Sequence, residues 1–473
     1  MNLNLERNYL TEVPNESARL CDLCGNFAPF AVKESTFLQF PKTEPNKFKL
    51  SLTSQFKRFQ KNAYMNIHLS HPGNQLSGEL KITGSKSESN RALILQALYP
   101  EIKLENISNS DDTQVLQESL KKESGLIDIH HAGTAMRFLT AYFASKNGSD
   151  VVLTGSPRMQ ERPVKLLVDA LKSLGADISY EKMEGFPPLR IKGKMLTENM
   201  VCLQADISSQ YISALMLIAP SLPQGLEIVL DGQITSAPYI SMTMEILQNA
   251  GIQGTFENNR ILIAHQQELP SKTINIESDW SSASYFYSLA AISESVSLSL
   301  SNYRETSLQG DSFIVEIYGQ LGVNTKFEGN SVILEKQPFK MPKRIVKDLR
   351  NSPDIAQTIA VTCLALGIEC ELTGLHTLKI KETDRLMALK AEIEKFGAKV
   401  EITNDSLQLF PAKTFKEDVS VATYNDHRMA MAFAPLALKV SLNIEDAGVV
   451  SKSYPTFWKD MEFLGFRVSN ILQ

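Results

Sequence analysis

The feature that most constrains the fold is a phrase that recurs along the chain: a helix end, a glycine, a strand, a turn and a second strand. It reads LKSLGADISYEKMEGFPPLRIKG from residue 171, LQNAGIQGTFENNRILIA from 247, YGQLGVNTKFEGNSVILEK from 318 and IEKFGAKVEITNDSLQLFP from 393. Glycine just after a helix is the usual left-handed cap, so each mark has a physical cause. The glycines lie 68–76 residues apart, at Gly175, Gly251, Gly322, Gly397 and Gly465.

Two further stretches extend this repeat. MEFLGFRVSN closes the chain, and LKKESGLIDIHH, around Gly125, resembles a shortened first copy. The strands alternate apolar and polar residues, as half-buried strands do. About six helix-plus-hairpin units therefore predict an α/β fold whose units bury their faces together. The alternative is coincidence, because helix–glycine–strand is common in any α/β protein.

Length and composition narrow the class of protein. A chain of 473 residues is too long for one ordinary core and favours two or more domains. Its 43% hydrophobic and 21% charged residues, without a long apolar run, are typical of a soluble globular protein without membrane spans. The formal net charge of −5 disfavours bulk nucleic-acid binding, and five cysteines favour a reduced, cytoplasmic compartment.

The first 64 residues differ from the rest because they show no sustained period, so we expect a weakly ordered extension without a catalytic role. Cys21 and Cys24 lie in it, and His68 and His71 follow. The two histidines are closer together than in the usual zinc pattern, so no metal site is predicted.

Basic and hydroxyl side chains gather at predicted helix starts. GSKSESNRALILQAL, residues 84–98, places Lys86 and Arg91 in the first turns of a helix, and the intervening Ser85 excludes a Walker A loop. Comparable clusters lie near residues 133–137, 158–163, 208–210, 354, 381–385 and 426–428, and near 452. Helix N-termini attract anions. In an acidic protein this pattern predicts one cationic pocket for a multiply charged anion, although each cluster alone also fits an ordinary solvated helix start.

Eight short motifs give the chain a resemblance to one family. They are GSKSESNRAL, AGTAMR, RMQERP, ISSQY, SAPYI, KETDR, NDHRMAMA and SKSYP. From about Met65 to Gln473 the chain resembles the EPSP synthases, enolpyruvyl transferases that join phosphoenolpyruvate to shikimate 3-phosphate. The resemblance implies an α/β enolpyruvyl-transferase fold of two domains, each of three βαβαββ units, with the first unit shortened and the active site in the interdomain cleft. It also implies that 65–84 plus 278–473 form domain 1 and that 85–277 form domain 2.

The same motifs carry the family's site residues onto this chain. For shikimate 3-phosphate they imply Lys86, Ser87, Arg91, Ser208, Ser209, Ser236, Tyr239, Asp354, Thr377 and Lys381. For phosphoenolpyruvate they imply Lys86, Gly133, Arg162, Gln210, Arg385, Arg428 and Lys452. The expected catalytic groups are Asp354 at the attacking 5-hydroxyl and Glu382 at the vinyl methylene, assisted by Lys86 and Lys452. Together the substrates bring about five to six negative charges, which a cationic pocket would meet.

The implied products are 5-enolpyruvylshikimate 3-phosphate and phosphate, in the shikimate pathway to chorismate and the aromatic amino acids. The resemblance implies no metal or organic cofactor, no nucleic acid and no membrane partner. We expect a cytoplasmic monomer acting on the two small-molecule substrates. Retention of Gly133 predicts that glyphosate fits the phosphoenolpyruvate pocket.

Three residues depart from the family pattern: His131 and Thr377 each replace a usual asparagine, and Phe138 replaces a usual proline. The stretch from Asp112 to His131 is short, so one hairpin of the first unit is expected to be missing. Three alternatives stay open. They are a UDP-N-acetylglucosamine enolpyruvyl transferase, which typically uses a loop cysteine as its acid, a non-catalytic anion-binding homologue, and an RNA-end-processing relative, which the net charge disfavours.

Overall fold

Two hydrophobic cores organise the described chain. In this computed structural model the structure describes residues 65–204, 208–232, 234, 237–411 and 414–471, so the extension predicted over 1–64 lies outside the described residues. The first core buries apolar side chains from 67–82 and from 280–466. The second core buries side chains from 93–269. The first core thus combines both ends of the described chain, and the second is one continuous stretch inserted between them.

Helices alternate with strands along the described residues. In chain order they are α1 (Lys86–Leu98), α2 (Asp111–Leu120), α3 (Gly133–Ser145), α4 (Pro157–Gln160), α5 (Lys165–Ser173), α6 (Ser209–Ile218), α7 (Ala237–Ala250), α8 (Trp280–Ile292), α9 (Ile314–Gly319), α10 (Ala356–Leu366), α11 (Arg385–Lys395), α12 (His427–Phe433) and α13 (Phe457–Phe463). Among these helices none is both long enough and apolar enough to cross a membrane.

The strands are short, as expected for half-buried sheets. In chain order they are β1 (Ile67–Ser70), β2 (Gln75–Leu80), β3 (Ile102–Glu105), β4 (Ser124–Asp128), β5 (Asp150–Thr154), β6 (Asp177–Tyr180), β7 (Leu189–Lys192), β8 (Met200–Gln204), β9 (Leu226–Asp231), β10 (Gly254–Glu257), β11 (Arg260–Ile263), β12 (Lys272–Asn275), β13 (Ser295–Ser301), β14 (Val323–Glu328), β15 (Ser331–Lys336), β16 (Arg344–Asp348), β17 (Glu369–Thr373), β18 (Lys399–Ile402), β19 (Leu407–Phe410), β20 (Val419–Val421), β21 (Leu442–Ile444) and β22 (Arg467–Asn470).

Five four-stranded sheets share one topology in the described ranges. Their strand orders are β4–β5–β7–β6, β10–β11–β9–β8, β14–β15–β13–β2, β16–β17–β19–β18 and β20–β21–β1–β22. In each sheet two neighbouring strands run parallel, as β4 and β5 do, and the other two strands pair antiparallel, as β7 and β6 do. The repeated units predicted from the sequence are confirmed. Two sheets are completed by strands from near residue 65, β1 and β2.

The sixth unit, which is the shortened first unit of the sequence prediction, has fewer strands than the other five. Its sheet has two parallel strands, β12 and β3, which α1 and α2 accompany. Helix α2 ends at Leu120 and β4 begins at Ser124, so the chain has no room there for the hairpin that closes the other units. The expected shortening of the first unit is therefore confirmed. The interpretation of Gly125 as part of that copy is wrong, because Gly125 lies in β4 and begins the next unit.

The five repeat glycines follow helices as left-handed caps, as the sequence pattern predicted. All have positive φ, between +82° and +104°, a region that residues with a Cβ rarely adopt. Each ends a helix and turns the chain into the strand that follows it. The positions are Gly175, Gly251, Gly322, Gly397 and Gly465.

The chain passes between the two cores twice, and the two passages lie side by side. The Ser85 N–H donates to the Glu277 carbonyl over 2.7 Å, and Gly84 pairs with Ser278 in an isolated bridge. A Cβ at Gly84 would lie 1.8 Å from the Asn106 carbonyl oxygen, so only glycine fits there. Both passages are thus held in one tightly packed crossing.

A buried carboxylate reinforces this crossing. Glu88, in α1, accepts from the Glu277 N–H over 3.3 Å and from Gln309 Nε2 over 2.8 Å. Burial and the charge of Glu277 raise the pKa of Glu88 to about 7. The first turn of α1, which carries Lys86 and Ser87, is therefore tied to the returning chain.

Candidate active site

A cavity of about 300 Å³ is lined by residues from both halves of the described chain, that is, from the part that builds the first core and from the part that builds the second. Its wall contains the first turns of α1, α3 and α6 from one half and of α8, α11 and α12 from the other. The helix N-termini that the sequence singled out therefore do meet. The predicted site residues found in this wall are Lys86, Ser87, Arg91, Gly133, Arg162, Ser208, Ser209, Gln210, Tyr239, Asp354, Thr377, Lys381, Glu382, Arg385 and Arg428.

One predicted residue, Lys452, is not among the described residues of that wall. Lys452 ends a 3₁₀ turn and donates to the Asn425 carbonyl over 2.6 Å. Its charge still reaches the site, because burial and then the charge of Lys452 lower the pKa of His131. Ser236 lies outside the described residues. The roles assigned to both from the sequence stay predictions.

Arg91 is a buried cation whose hydrogen-bond partners are all neutral. Its Nε donates to Thr243 Oγ1 over 2.7 Å, its Nη2 to Ser213 Oγ over 3.0 Å and its Nη1 to the Ser87 carbonyl over 2.8 Å. Burial lowers its pKa to about 10, which still leaves it charged at neutral pH. A buried charge that lacks a carboxylate partner among the described residues favours an anionic ligand.

Arg137 and Arg162 extend this cationic wall beside Gly133. Arg137 Nη1 donates to the Gly133 carbonyl over 2.9 Å, and burial together with the charge of Arg162 lowers the Arg137 pKa to about 10. A Cβ at Gly133 would lie 2.5 Å from Arg162 Nη1, so glycine lets that guanidinium approach the helix start. Nearby, Gln210 Nε2 donates to Thr134 Oγ1 over 3.2 Å.

The opposite wall combines arginines with carboxylates. Arg385, almost fully buried, donates to Asp354 over 2.8 Å, to Glu382 over 2.9 Å and to Asp426 over 2.6 Å. Asp426 also caps α12 by accepting from the Arg428 N–H over 2.9 Å. Arg428 Nη2 donates to the other Asp354 oxygen over 3.2 Å. Asp354 and Glu382 are therefore oriented by a rigid arginine framework.

The electrostatics of this wall fix the ionisation of the candidate acid–base groups. Burial alone would raise the pKa of Asp354, but Arg428, Lys381 and Arg385 hold it well below its usual range. The same balance, with Arg385 the largest opposing charge, holds the pKa of Glu382 well below its usual value. Both carboxylates are thus ionised at neutral pH.

Lys86 carries the opposite charge to these two carboxylates. Burial would lower the pKa of this lysine, but Asp112, whose carboxylate lies 3.2 Å from Nζ, leads the charges that raise it. Lys86 is therefore protonated at neutral pH. A protonated lysine beside two ionised carboxylates supplies both a proton donor and proton acceptors.

Sequence reasoning did not assign several residues of the cavity wall. They are Asp112, Thr134, Pro163, Tyr211, Asp279, Ser281, Ser282, Tyr285, Pro353, His376, Ile380, His427 and Ser453. Arg137, in contrast, was expected from the sequence to join the cationic pocket, and it does line the cavity. Asp112 follows the cap residue Ser110, and Asp279 caps α8, so polar residues at predicted helix starts were the available signal. His427 fits a core histidine by pattern, yet neither ring nitrogen has a hydrogen-bond partner among the described residues.

The summed charge of the wall is positive. Among the described residues, seven lysines and arginines line the cavity against four carboxylates, which gives a formal excess of three positive charges in a protein of net charge −5. Burial lowers the pKa of His427 well below its usual value, so it adds no charge at neutral pH. The cavity is suited to small, multiply charged anions.

Comparison with known proteins identifies the family. The family model of EPSP synthase (3-phosphoshikimate 1-carboxyvinyltransferase) matches residues 115–461. The chain belongs to the EPSP synthase family. A 3-phosphoshikimate 1-carboxyvinyltransferase of Bacteroides fragilis (strain YCH46) is 42% identical over 408 residues, 85% of this chain and 99% of the relative. One of Histophilus somni (strain 2336) is 36% identical over 424 residues, 83% of this chain and 97% of the relative.

Solved structures agree on the fold. EPSP synthase from Acinetobacter baumannii superposes with a TM-score of 0.69 at 20% identity, over 86% of this chain and all of that one. The enolpyruvyl transferase NikO from Streptomyces tendae gives 0.66 at 13% identity, over the same shares of the two chains. The predicted enolpyruvyl-transferase fold is confirmed.

Proposed function

We propose that this EPSP synthase family member transfers the enolpyruvyl group of phosphoenolpyruvate to the 5-hydroxyl of shikimate 3-phosphate and releases phosphate. The observation that carries the proposal is the cavity with an excess of positive charge, beside a protonated lysine and two ionised carboxylates. Two phosphorylated carboxylic acids would more than neutralise that excess.

The residues of the two walls support separate binding places for the two substrates. Arg91, with its neutral partners, is available to the phosphate of shikimate 3-phosphate, together with Ser87, Ser208 and Ser209. Arg162, close to Gly133, and Arg385 and Arg428 on the opposite wall would hold the phosphate and carboxylate of phosphoenolpyruvate. Bidentate guanidinium contacts both bind and orient such groups.

The first chemical step would be addition. The vinyl methylene of phosphoenolpyruvate gains a proton, C2 becomes electrophilic, and the 5-hydroxyl oxygen attacks C2 as it loses its own proton. Asp354 is proposed to receive the hydroxyl proton, and Glu382 to deliver the methylene proton with help from Lys86. Both carboxylates are ionised beside the arginines, so the bound anions must raise the pKa of Glu382 before it can act as the acid.

The second step would be elimination. The tetrahedral adduct loses a methyl proton, phosphate leaves from C2, and the vinyl ether forms. Glu382, ionised again after the first step, would take that proton, and Arg428 and Arg385, which line the same cavity, would stabilise the leaving phosphate. The atoms balance without another reactant, so no metal or organic cofactor is proposed.

The domain boundaries predicted from the sequence become part of this proposal. The separation of the two cores and the paired passages at Gly84 and Ser278 support domain 1 over 65–84 plus 278–473 and domain 2 over 85–277. We further propose a monomer that acts in the cytoplasm on its two small substrates. Light scattering during gel filtration tests the oligomeric state.

Phosphate release by the purified chain tests the proposed reaction. With both substrates, phosphate should appear, and omission of shikimate 3-phosphate or its replacement by UDP-N-acetylglucosamine should abolish it. Lys86→Met should lose most turnover, whereas the matched surface variant Lys103→Met should keep it. Phosphate release from phosphoenolpyruvate with UDP-N-acetylglucosamine but not with shikimate 3-phosphate would support a UDP-N-acetylglucosamine enolpyruvyl transferase instead. Calorimetric binding of shikimate 3-phosphate without any phosphate release would support a non-catalytic anion-binding homologue.

A further inference from the structure

A second carboxylate lies behind the cavity wall, next to the arginine that bridges to Asp354. Asp311, in a 3₁₀ turn over Gly310–Phe313, is 6% exposed and does not line the cavity. Its carboxylate accepts a hydrogen bond from the Ser281 hydroxyl over 2.5 Å. Ser281 does line the cavity, so Asp311 reaches the site through one intermediate side chain.

The hydroxyl of Ser281 connects Asp311 to Arg428. Arg428 Nη2 donates to Ser281 Oγ over 3.2 Å and to Asp354 Oδ2 over 3.2 Å, while its Nε has no hydrogen-bond partner among the described residues. A serine has a single hydroxyl proton. Since that proton points at Asp311, the lone pairs of Ser281 are turned towards the guanidinium.

The turn that carries Asp311 is itself fixed. A Cβ at Gly310 would lie 2.6 Å from the Asn351 carbonyl oxygen and 3.2 Å from Pro238, a residue of α7 in the other half of the chain. The preceding Gln309 donates through Nε2 to the Ser278 carbonyl and accepts from the Trp280 N–H. The carboxylate therefore has little freedom to leave Ser281.

We propose that Asp311 is a positioning residue for phosphoenolpyruvate: through Ser281 it sets the orientation of the Arg428 guanidinium. The inference rests on the proposed function for its kinetic readout. When Asp311 is ionised, Ser281 accepts from Arg428. When Asp311 is protonated, its own proton can point at Ser281, the serine proton turns towards Arg428, and the contact is lost.

The charges around Asp311 place this change in an accessible pH range. Burial, and next the negative charge of Asp354, raise the pKa of Asp311 to about 6, while Arg428 lowers it. Asp279, at the start of α8, also faces it, and so does Tyr239 from α7. The arrangement therefore predicts a pH-dependent orientation of Arg428.

The test compares wild type with Asp311→Asn, which keeps the size, carries no charge and can donate to Ser281 through its amide N–H, as the protonated acid does. At pH 8 the KM for phosphoenolpyruvate should rise about tenfold, while that for shikimate 3-phosphate changes less than about twofold. The ratio of wild-type to variant kcat/KM for phosphoenolpyruvate should fall towards one as the pH drops below 6. Taking the ratio removes the ionisation of the substrate itself.

Ser281→Ala should give a similar rise in KM, and the double variant should lose no more than Ser281→Ala alone, because both residues act through one contact. The matched surface pair Ser441 and Asp418, joined over 2.6 Å, gives Asp418→Asn as a control without kinetic effect. A pH-independent ratio, equal changes in both KM values or additive losses would overturn the inference. An inactive wild type would instead refute the proposed function.

Discussion

The buried carboxylate of Glu88 allows a quantitative test of how the two halves of the chain are joined. Burial and then the charge of Glu277 raise its pKa from an ordinary 4.5 to about 7. Because the folded state binds this proton more tightly, the resulting stabilisation is full below pH 4.5 and is lost as the pH rises through 7. A shift of that size corresponds to about 3 kcal/mol in the free energy of unfolding.

Glu88→Gln removes this titration. The free energy of unfolding of wild type minus that of the variant should therefore fall by about 3 kcal/mol between pH 4.5 and pH 8. Glutamine can still accept from Gln309, but its amide meets the Glu277 N–H. That mismatch costs about 1 kcal/mol at every pH and leaves the trend unchanged.

Urea unfolding followed by tryptophan fluorescence measures this difference, because Trp280 is buried and donates to Glu277 over 2.7 Å. Glu101→Gln, on an exposed turn, is the control and should show no pH-dependent difference from wild type. A wild-type-minus-Glu88→Gln difference that stays flat, or rises with pH, would refute the argument from burial and charge repulsion.

Other predictions concern the cavity. Asp354→Asn and Glu382→Gln should each lower kcat by about 10²–10⁴-fold while the thermal unfolding transition persists, and unchanged kcat would contradict their acid–base roles. Gly133→Ala forces Arg162 Nη1 away from a Cβ 2.5 Å distant, so the KM for phosphoenolpyruvate should rise about tenfold with that for shikimate 3-phosphate unchanged. Glyphosate should inhibit wild type in competition with phosphoenolpyruvate, and full activity at saturating glyphosate would count against the pocket assignment.

Much of the fold could be predicted because the residues that begin and end its helices act on their immediate neighbours in the sequence. The repeat glycines follow helices within a few residues, and positive φ is a property of single positions. The cap residues Ser85 and Asp426 likewise act on their own helices. Gly125 misled because a glycine near a strand carries no information about which sheet the strand joins.

The candidate site was harder to derive because its contacts connect distant parts of the chain. Lys86 and Asp112 are 26 residues apart, and Arg385 and Asp426 are 41 apart. No spacing rule relates such pairs, so the sequence predicted the cations at helix starts and the carboxylates of Asp354 and Glu382, but not the pairing of Lys86 with Asp112 or of Arg385 with Asp426. Asp311 was missed for the same reason, since it reaches Arg428 only through Ser281.

The most direct test of the proposed reaction is phosphorus NMR of the wild-type protein incubated with equimolar phosphoenolpyruvate and shikimate 3-phosphate. The inorganic phosphate signal should grow one-for-one as the phosphoenolpyruvate signal disappears, while a new product retains the phosphate of shikimate 3-phosphate. Unchanged spectra, or phosphate formed equally well without shikimate 3-phosphate, would contradict the claim that this cationic cavity brings two polyanions together for enolpyruvyl transfer.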